Sequence, residues 1–446
     1  VTLGEQLPHI EVPPPGPRSR ALASRLAAVE SPAFEARRDA RASTSGADQS
    51  AIVYAHGVGA NVVDADGNRY VDLTAGFGAL LLGHAPNAAS RAAAEKLGEL
   101  PLALGDVYAS AEKVELCEQL AALLPERGAR VMLGSSGADA VTCALKTAAL
   151  ATRKRKVVAF DGAYHGLSHG PLALCGLAPA FREPFAAQLG LDVAFAPYPS
   201  RDDARGAAVA LDAAIAAVRA AGESGDVAAI VVEPVLGRGG CIVPPSSFLP
   251  ALRSVADEMG ALLVVDEVWT GMGRTGALLA SDHAGVLADV VCLGKGLGGG
   301  VPISACVGRA HVMDAWGAHG GATIHTGTHF GAPPGCAAAL AVLAELRAGL
   351  LDRAREAGER WTEELSAACG DRARVRGRGL MVGIGLADAR EALAVARALL
   401  GRGYVVLTGG VRGDALTLSP PLTIAPHLLT AFAYALGDVL REGADC

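Results

Sequence analysis

The sequence predicts an α/β protein, with a large domain on a mainly parallel sheet and a smaller α+β domain. Three observations carry that expectation. From Gly78 to about Gly331, short apolar runs alternate with Ala-rich helical stretches, as strands and crossover helices do. Runs such as Ala261-Leu262-Leu263-Val264-Val265 are apolar throughout, the pattern of a strand buried on both faces. At 446 residues, with 51% hydrophobic residues and 56 glycines, the chain is long enough for two domains. We place the large domain at residues 76–335, and the N-terminal arm and small domain at residues 1–75 and 336–446.

The elements follow in order. Pro13-Pro14-Pro15-Gly16-Pro17 is a stiff, extended lead-in to a helix over Ser19–Glu30, ended by Ser31-Pro32, and this arm is expected to pack on a dimer. Asn61–Asp72 alternates around Asp66-Gly67 and predicts a β-hairpin. Val131-Met132-Leu133 is a strand running into Gly134-Ser135-Ser136-Gly137-Ala138-Asp139, with a helix over Ala140–Ala151. Val231-Val232 ends a further strand before Glu233-Pro234. A long helix from about Gly335 to Ala357 leads to the last segment, where Arg376–Leu386 and Tyr404–Leu418 supply strands of the small domain.

Composition narrows the function. A net charge of −7 gives no footprint for nucleic acid or an anionic membrane. The nine cysteines are odd in number and form no Cys-x-x-Cys pair, so neither a disulfide framework nor a metal site is indicated. No uncharged apolar stretch reaches the ~18 residues of a membrane span, and no signal-peptide core is seen at the N-terminus. Cytoplasmic small-molecule chemistry is the expectation.

Lys295 is the most informative residue. It sits in Leu293-Gly294-Lys295-Gly296-Leu297-Gly298, bracketed by apolar strands, whereas the other five lysines lie in helical or charged contexts. A partly desolvated amine has a lowered pKa and attacks carbonyls, and flanking glycines let a large group approach. From this segment alone, a lysine snorkelling at a strand end is an equal reading. Asp266 ends the strand before it, at the edge where open α/β sheets bind ligands, although such an Asp also serves as an N-cap or a metal ligand. The Ser135-Ser136-Gly137-Ala138 turn precedes a helix whose free N–H groups bind phosphate, and it lacks the ending of a nucleotide P-loop. With the aromatic in Phe160-Asp161-Gly162-Ala163-Tyr164-His165-Gly166, these features fit one ligand: a pyridine ring bearing a phosphate and an aldehyde.

In these motifs, and in the block Leu262–Thr275 closed by Gly294-Lys295-Gly296, the chain resembles the class III, or ω-amino acid, pyridoxal-phosphate aminotransferases. The resemblance runs from about Val62 to Ile424. It implies a fold type I transferase whose Lys295 forms an internal aldimine and shuttles the substrate proton, with Asp266 on the pyridine nitrogen. It implies further that Tyr164 stacks on the ring, that Val268 covers its other face, and that Ser136, Gly137 and Ala138 meet the phosphate. His165 and Glu233 join the cofactor set, although packing or loop hydrogen bonding outweighs catalysis for His165, His325 and His329. Thr328 matches a threonine that reaches the neighbouring subunit's cofactor, which implies a homodimer with shared sites, tetramers being possible. The activity implied is transfer of an amino group from an amine, ω-amino acid or amino acid to a keto acid. Racemisation, epimerisation or an aminomutase reaction is the alternative within the family, and a cofactor-binding protein without turnover is a third reading.

The departures concentrate where substrate is recognised. Many relatives carry a carboxylate-binding arginine three positions before the Pro-Pro pair, where this chain has Thr417. Their glutamate after the Glu-Pro turn is replaced by Arg238, and their glutamine two residues earlier by Leu236. This argues against carrying over acetylornithine or 4-aminobutyrate specificity. Arg238 is therefore expected to receive a substrate carboxylate through its planar fork. Arg412, on a Gly-rich loop, is the rival, with a solvated loop arginine as its plainer reading. Phe77 matches a pocket-lining position, with a core role nearly as well supported.

Overall fold

The computed structural model describes residues 3–125, 128–318 and 321–443. Two helices open it, Pro17–Ala27 and Pro32–Ser45, each with a proline in its first turn. The first is the expected arm helix with shifted ends. The second is an addition, because Ser31-Pro32 starts a helix as well as it ends one: proline lacks the N–H that the first turn leaves unpaired. The arm lies on its own chain, where Asp66 accepts the N–H groups of Arg18 (2.7 Å) and Ser19 (2.9 Å). Arg397 donates to the Pro14 carbonyl at 2.7 Å.

Strands β1 (Tyr54–Val58), β2 (Asn61–Asp64) and β3 (Arg69–Asp72) form an antiparallel meander, and β2–β3 is the expected hairpin. Its turn is set by Asp64, which accepts the amides of Asp66 and Asn68, both at 2.9 Å.

The central sheet comprises β4 (Arg130–Gly134), β5 (Lys156–Phe160), β6 (Asp192–Ala196), β7 (Val227–Val232), β8 (Leu262–Asp266), β9 (Val290–Leu293) and β10 (Ser304–Gly308). Its order is β4-β10-β9-β8-β7-β5-β6, and β10 alone runs antiparallel to its neighbours. The mainly parallel sheet read from the sequence is present. Strands β7 to β10 are buried along their whole length, which is why they carry apolar residues on both faces. The shared direction puts the carboxyl ends of β4, β5, β7, β8 and β9 on one edge.

The last part contributes β11 (Arg374–Arg378), β12 (Met381–Gly385), β13 (Tyr404–Val405), β14 (Leu407–Gly409) and β15 (Ala415–Leu418). Each of the two segments expected to supply strands here holds more than one. Gly379 (φ 57°) turns the first, and Gly410 (φ 91°) and Gly413 (φ 73°) turn the second. β11-β12-β15-β14 is an antiparallel sheet, while β13 pairs in parallel with β3.

The expected long helix begins at Pro333 and runs, through a π-type turn at Leu346–Leu350, to Cys369. Gly349 (φ 102°) accounts for that irregularity. An 18-residue window of this run has a mean hydropathy of 1.4, apolar enough by length and composition to cross a membrane. Here 44% of the window is buried inside the fold, and Cys336, Ala339, Val342 and Leu343 of the run pack into the hydrophobic core.

Candidate active site

Of the residues singled out in the sequence, Lys295, Asp266, His165, Glu233, Tyr164, Val268 and Gly137 meet at the common strand edge. Lys295 follows β9 in a short turn, Lys295–Gly298, and holds the left-handed conformation (φ 39°), a strain typical of functional positions. Its Nζ lies 4.4 Å from the centre of the Trp269 ring. Burial is the main cause that lowers its pKa to about 8, helped by the cations Arg238 and Arg274 and opposed by Asp266 and Glu233. At neutral pH a far larger share of this amine is free than of an ordinary lysine.

Asp266, at the end of β8, is buried. One oxygen accepts the Val268 amide at 3.0 Å, and the other lies 2.8 Å from His165 Nδ1. Burial pulls the His165 pKa down, but Asp266 and Glu233 outweigh it, and the net direction is up. His165 Nε2 is buried without a partner among the described residues. His165 is thus held to Asp266 by a hydrogen bond, the kind of role the sequence reading ranked above catalysis.

Glu233, after β7, accepts the amides of Tyr164 (2.8 Å) and Gly237 (3.0 Å), tying two loops of the site together. Its pKa is raised, chiefly by burial. Glu267 holds the signature loop by accepting from Thr270 and from the amides of Ala280 and Ser281.

The Gly137–Thr152 helix begins in a capping box: Ser136 Oγ and its amide both donate to Asp139, each at 2.9 Å. Both donors of Ser136 are thus committed. The amides of Gly137 and Ala138, at the first two helical positions, have no intrahelical acceptor and point from the positive end of the helix dipole. A Cβ at Gly137 would come within 2.7 Å of Val268, so glycine is what lets the helix start and the signature loop meet.

Trp269 was missed. It packs between Gly78 and Gly237, where a Cβ on either would come within 2.5 Å of the indole, and its Nε1 is buried without an acceptor. The signal was available as the one aromatic in the signature loop.

Arg238 lies with its guanidinium 4.4 Å from the centre of the Tyr164 ring and 6.0 Å from that of Phe181. No carboxylate pairs with it among the described residues. Its carbonyl accepts the Gly410 amide at 2.9 Å. Thr417, buried in β15, lies near its backbone carbonyl: a Cβ on Gly409 would meet Thr417 Cγ2 at 2.6 Å and the Arg238 carbonyl at 3.3 Å. Arg412, by contrast, is 80% exposed and pairs with Asp414 at 2.7 Å. Phe77 is 63% exposed, and its left-handed backbone (φ 61°) lies within a run of four such residues, Ala75 to Gly78. It is a strained surface residue rather than a core one. Thr328 is exposed and makes no hydrogen bond among the described residues.

The donor set suits a flat ring carrying a phosphate and an aldehyde. There are free helix amides for the phosphate, a fixed carboxylate for a ring nitrogen, and a desolvated amine for the aldehyde.

Comparison with known proteins agrees. The profile of the family described as Aminotransferase class-III matches residues 42–440. An acetylornithine aminotransferase of Mycobacterium tuberculosis is 41% identical over 399 residues, covering 87% of this chain and 92% of that protein. A 4-aminobutyrate aminotransferase of the same organism is 36% identical over 440 residues, covering 93% and 94%. Among solved structures, a PLP-bound amine transaminase from an uncultivated Pseudomonas species superposes with a TM-score of 0.80 at 30% identity, covering 89% of this chain and 95% of that one.

Proposed function

The chain belongs to the class III aminotransferases, pyridoxal-phosphate enzymes that move an amino group from a donor to a keto acid, and from that premise we propose how its residues divide the work. The observation that carries the reading is the convergence of the Lys295 amine, the Asp266 carboxylate and the free amides of Gly137 and Ala138 on one sheet edge. When bound, pyridoxal phosphate supplies an aldehyde for the amine and a ring that accepts the electrons left when the donor carbon loses its proton.

Gly137 and Ala138 hold the phosphate, Tyr164 and Val268 confine the ring, and Asp266, oriented by His165, keeps the ring nitrogen protonated. Lys295 Nζ anchors the cofactor and moves the proton at the donor carbon. Trp269, beneath Nζ, excludes water and steadies the ammonium form by its π face. Glu233 fixes the loops that carry Tyr164 and Arg238. Residues 76–335 form the cofactor-binding unit.

We read the active enzyme as a cytoplasmic homodimer. In support, exposed Leu104, Val107 and Tyr108 lie beside the loop carrying Thr328, which Thr323 and Thr326 tie to Asp106. Thr328 is then presented to a second copy. The similar proteins are aminotransferases, and nothing in the site favours isomerisation. The test is the half-reaction: without keto acid, one carbonyl product should form per site as the cofactor's visible band changes. Continued racemisation with an unchanged band would overturn the reading.

The lowered pKa of Lys295 sets a pH dependence. Its amine reacts in the neutral form, so capture of pyridoxal phosphate by the apo-protein should accelerate as pH rises through about 8 and level off above it. Arg238→Ala removes a cation that lowers this pKa, so the midpoint should move up. Stopped-flow measurement between pH 6 and 10 checks both, and a wild-type midpoint near that of a free lysine would contradict the assignment.

Arg238 is positioned to take a substrate carboxylate, since its backbone lies near Thr417, where many relatives carry their clamp. Charge-assisted hydrogen bonds contribute about 1.5–3 kcal/mol. Arg238→Ala should therefore raise KM for acidic substrates by roughly 10- to 100-fold and change that for simple amines far less. Equal effects on both would rule the clamp out.

A further inference from the structure

A cavity of about 400 Å³ lies between the Pro32–Ser45 helix and the strained turn at Phe77. Arg37, Arg41, Phe34, Tyr54, Phe77 and Leu407 are among its lining residues. Arg37 and Arg41 stand one helical turn apart, and neither has a carboxylate partner among the described residues. Two like charges at this spacing repel. Arg41 reaches Thr408 Oγ1 only at 3.4 Å, and its Nε is buried with no acceptor. The other two arginines of the lining are engaged: Arg38 pairs with Glu35 at 2.7 Å, and Arg397 donates to the Pro14 and Ser50 carbonyls. The cavity thus presents two uncompensated guanidinium groups and three aromatic rings to whatever enters.

Two chains of contacts link the lining of the cavity to the residues around Lys295. Phe77 precedes Gly78, which packs on Trp269, and Lys295 Nζ stands over that ring. On the other wall, β14 joins Leu407 and Thr408 to Gly409, which packs on Thr417, and Gly410 donates to Arg238.

We propose that this cavity is a second anion site, which holds the anionic far end, carboxylate or phosphate, of a two-ended substrate whose reacting end lies at Lys295. Arg37 and Arg41 supply a forked set of donors, and Phe77 guides the linking chain past the turn. The role of the far end rests on the aminotransferase reading, whereas anion binding itself does not.

The test begins on holoenzyme with probes that carry no amine. Glutarate and inorganic phosphate are titrated by calorimetry into wild type, Arg37→Ala, Arg41→Ala and Arg238→Ala. Saturable binding is expected, weakened about tenfold by either helix substitution, and phosphate binding is retained in Arg238→Ala. Arg41→Lys, which keeps the charge, should recover part of the loss. The anion that binds identifies the tail as carboxylate or phosphate. No saturable heat, or loss in Arg238→Ala alone, overturns the proposal. Equal-length primary amines ending in a methyl group or in that anion are then compared in the half-reaction, where the ratio of their KM values should shift about tenfold in Arg41→Ala. An unchanged ratio overturns the far-end role. Failure of every amine to react would instead refute the aminotransferase reading and leave the calorimetric result standing.

Discussion

Lys295→Ala should lower turnover by about 10⁴-fold or more, because it removes at once the amine that anchors the cofactor and the base that moves the donor's proton. The protein should still fold. Lys295 is a desolvated cation in the native state, and the glycines and apolar strands around it do not depend on its charge. Pyridoxal phosphate should still bind to the apo-protein, more weakly, through the helix amides and Asp266. Retention of a substantial fraction of wild-type kcat would show that another amine does this work. Exogenous methylamine, which is small enough to enter the vacated space, should restore part of the activity.

The second large effect is expected at Asp266. An asparagine there is nearly isosteric but uncharged, so it cannot stabilise a protonated ring nitrogen, and kcat should fall by about 10²- to 10⁴-fold. The same change deprives His165 of the charge that raises its pKa. Replacing His165 with alanine should act in the same direction but less, since Asp266 keeps the Val268 amide. Loss of one charge-assisted hydrogen bond contributes about 1.5–3 kcal/mol. Kinetics of the two variants, with cofactor affinity measured alongside, distinguish them. A His165 effect equal to that of Asp266 would mean that the imidazole acts directly on the cofactor.

The catalytic centre was legible because its residues sit where local sequence betrays them. Leu262–Asp266 reads as a buried strand from apolar content alone, and an acid ending it must lie at the sheet edge. Lys295 stands out by its company, and the small residues of Ser135-Ser136-Gly137-Ala138 between a strand and a helix are a local pattern. What was not legible depends on contacts between distant segments. Nothing in the sequence around Arg238 says that its guanidinium rests on Tyr164, or that His165 reaches Asp266. The cavity at Arg37 and Arg41 exists only because the Pro32–Ser45 helix is brought against Phe77 and β14, and that helix was itself hidden behind a proline read as a stop. In the small domain, the segments were legible as strand-forming but not where they turn: glycines at 379, 410 and 413 divide them, since a left-handed turn within an apolar run leaves its periodicity almost unchanged.

Arg412 and Arg238 show how charge pairing separates candidates that look alike in sequence. Both lie in Gly-rich loops. Arg412 is satisfied by Asp414 and points to water, whereas Arg238 has no acid and stands over an aromatic ring inside the site. An unpaired, half-buried guanidinium is the better anion receptor, because it does not have to give up an existing partner.

The most direct measurement is to reduce the holoenzyme with borohydride, digest it, and locate the phosphopyridoxyl group by mass spectrometry. A buried amine at the sheet edge, facing Asp266 and the free helix amides, predicts one label per chain, on Lys295. A label on any of the other five lysines, or none on an enzyme with full activity, would contradict it.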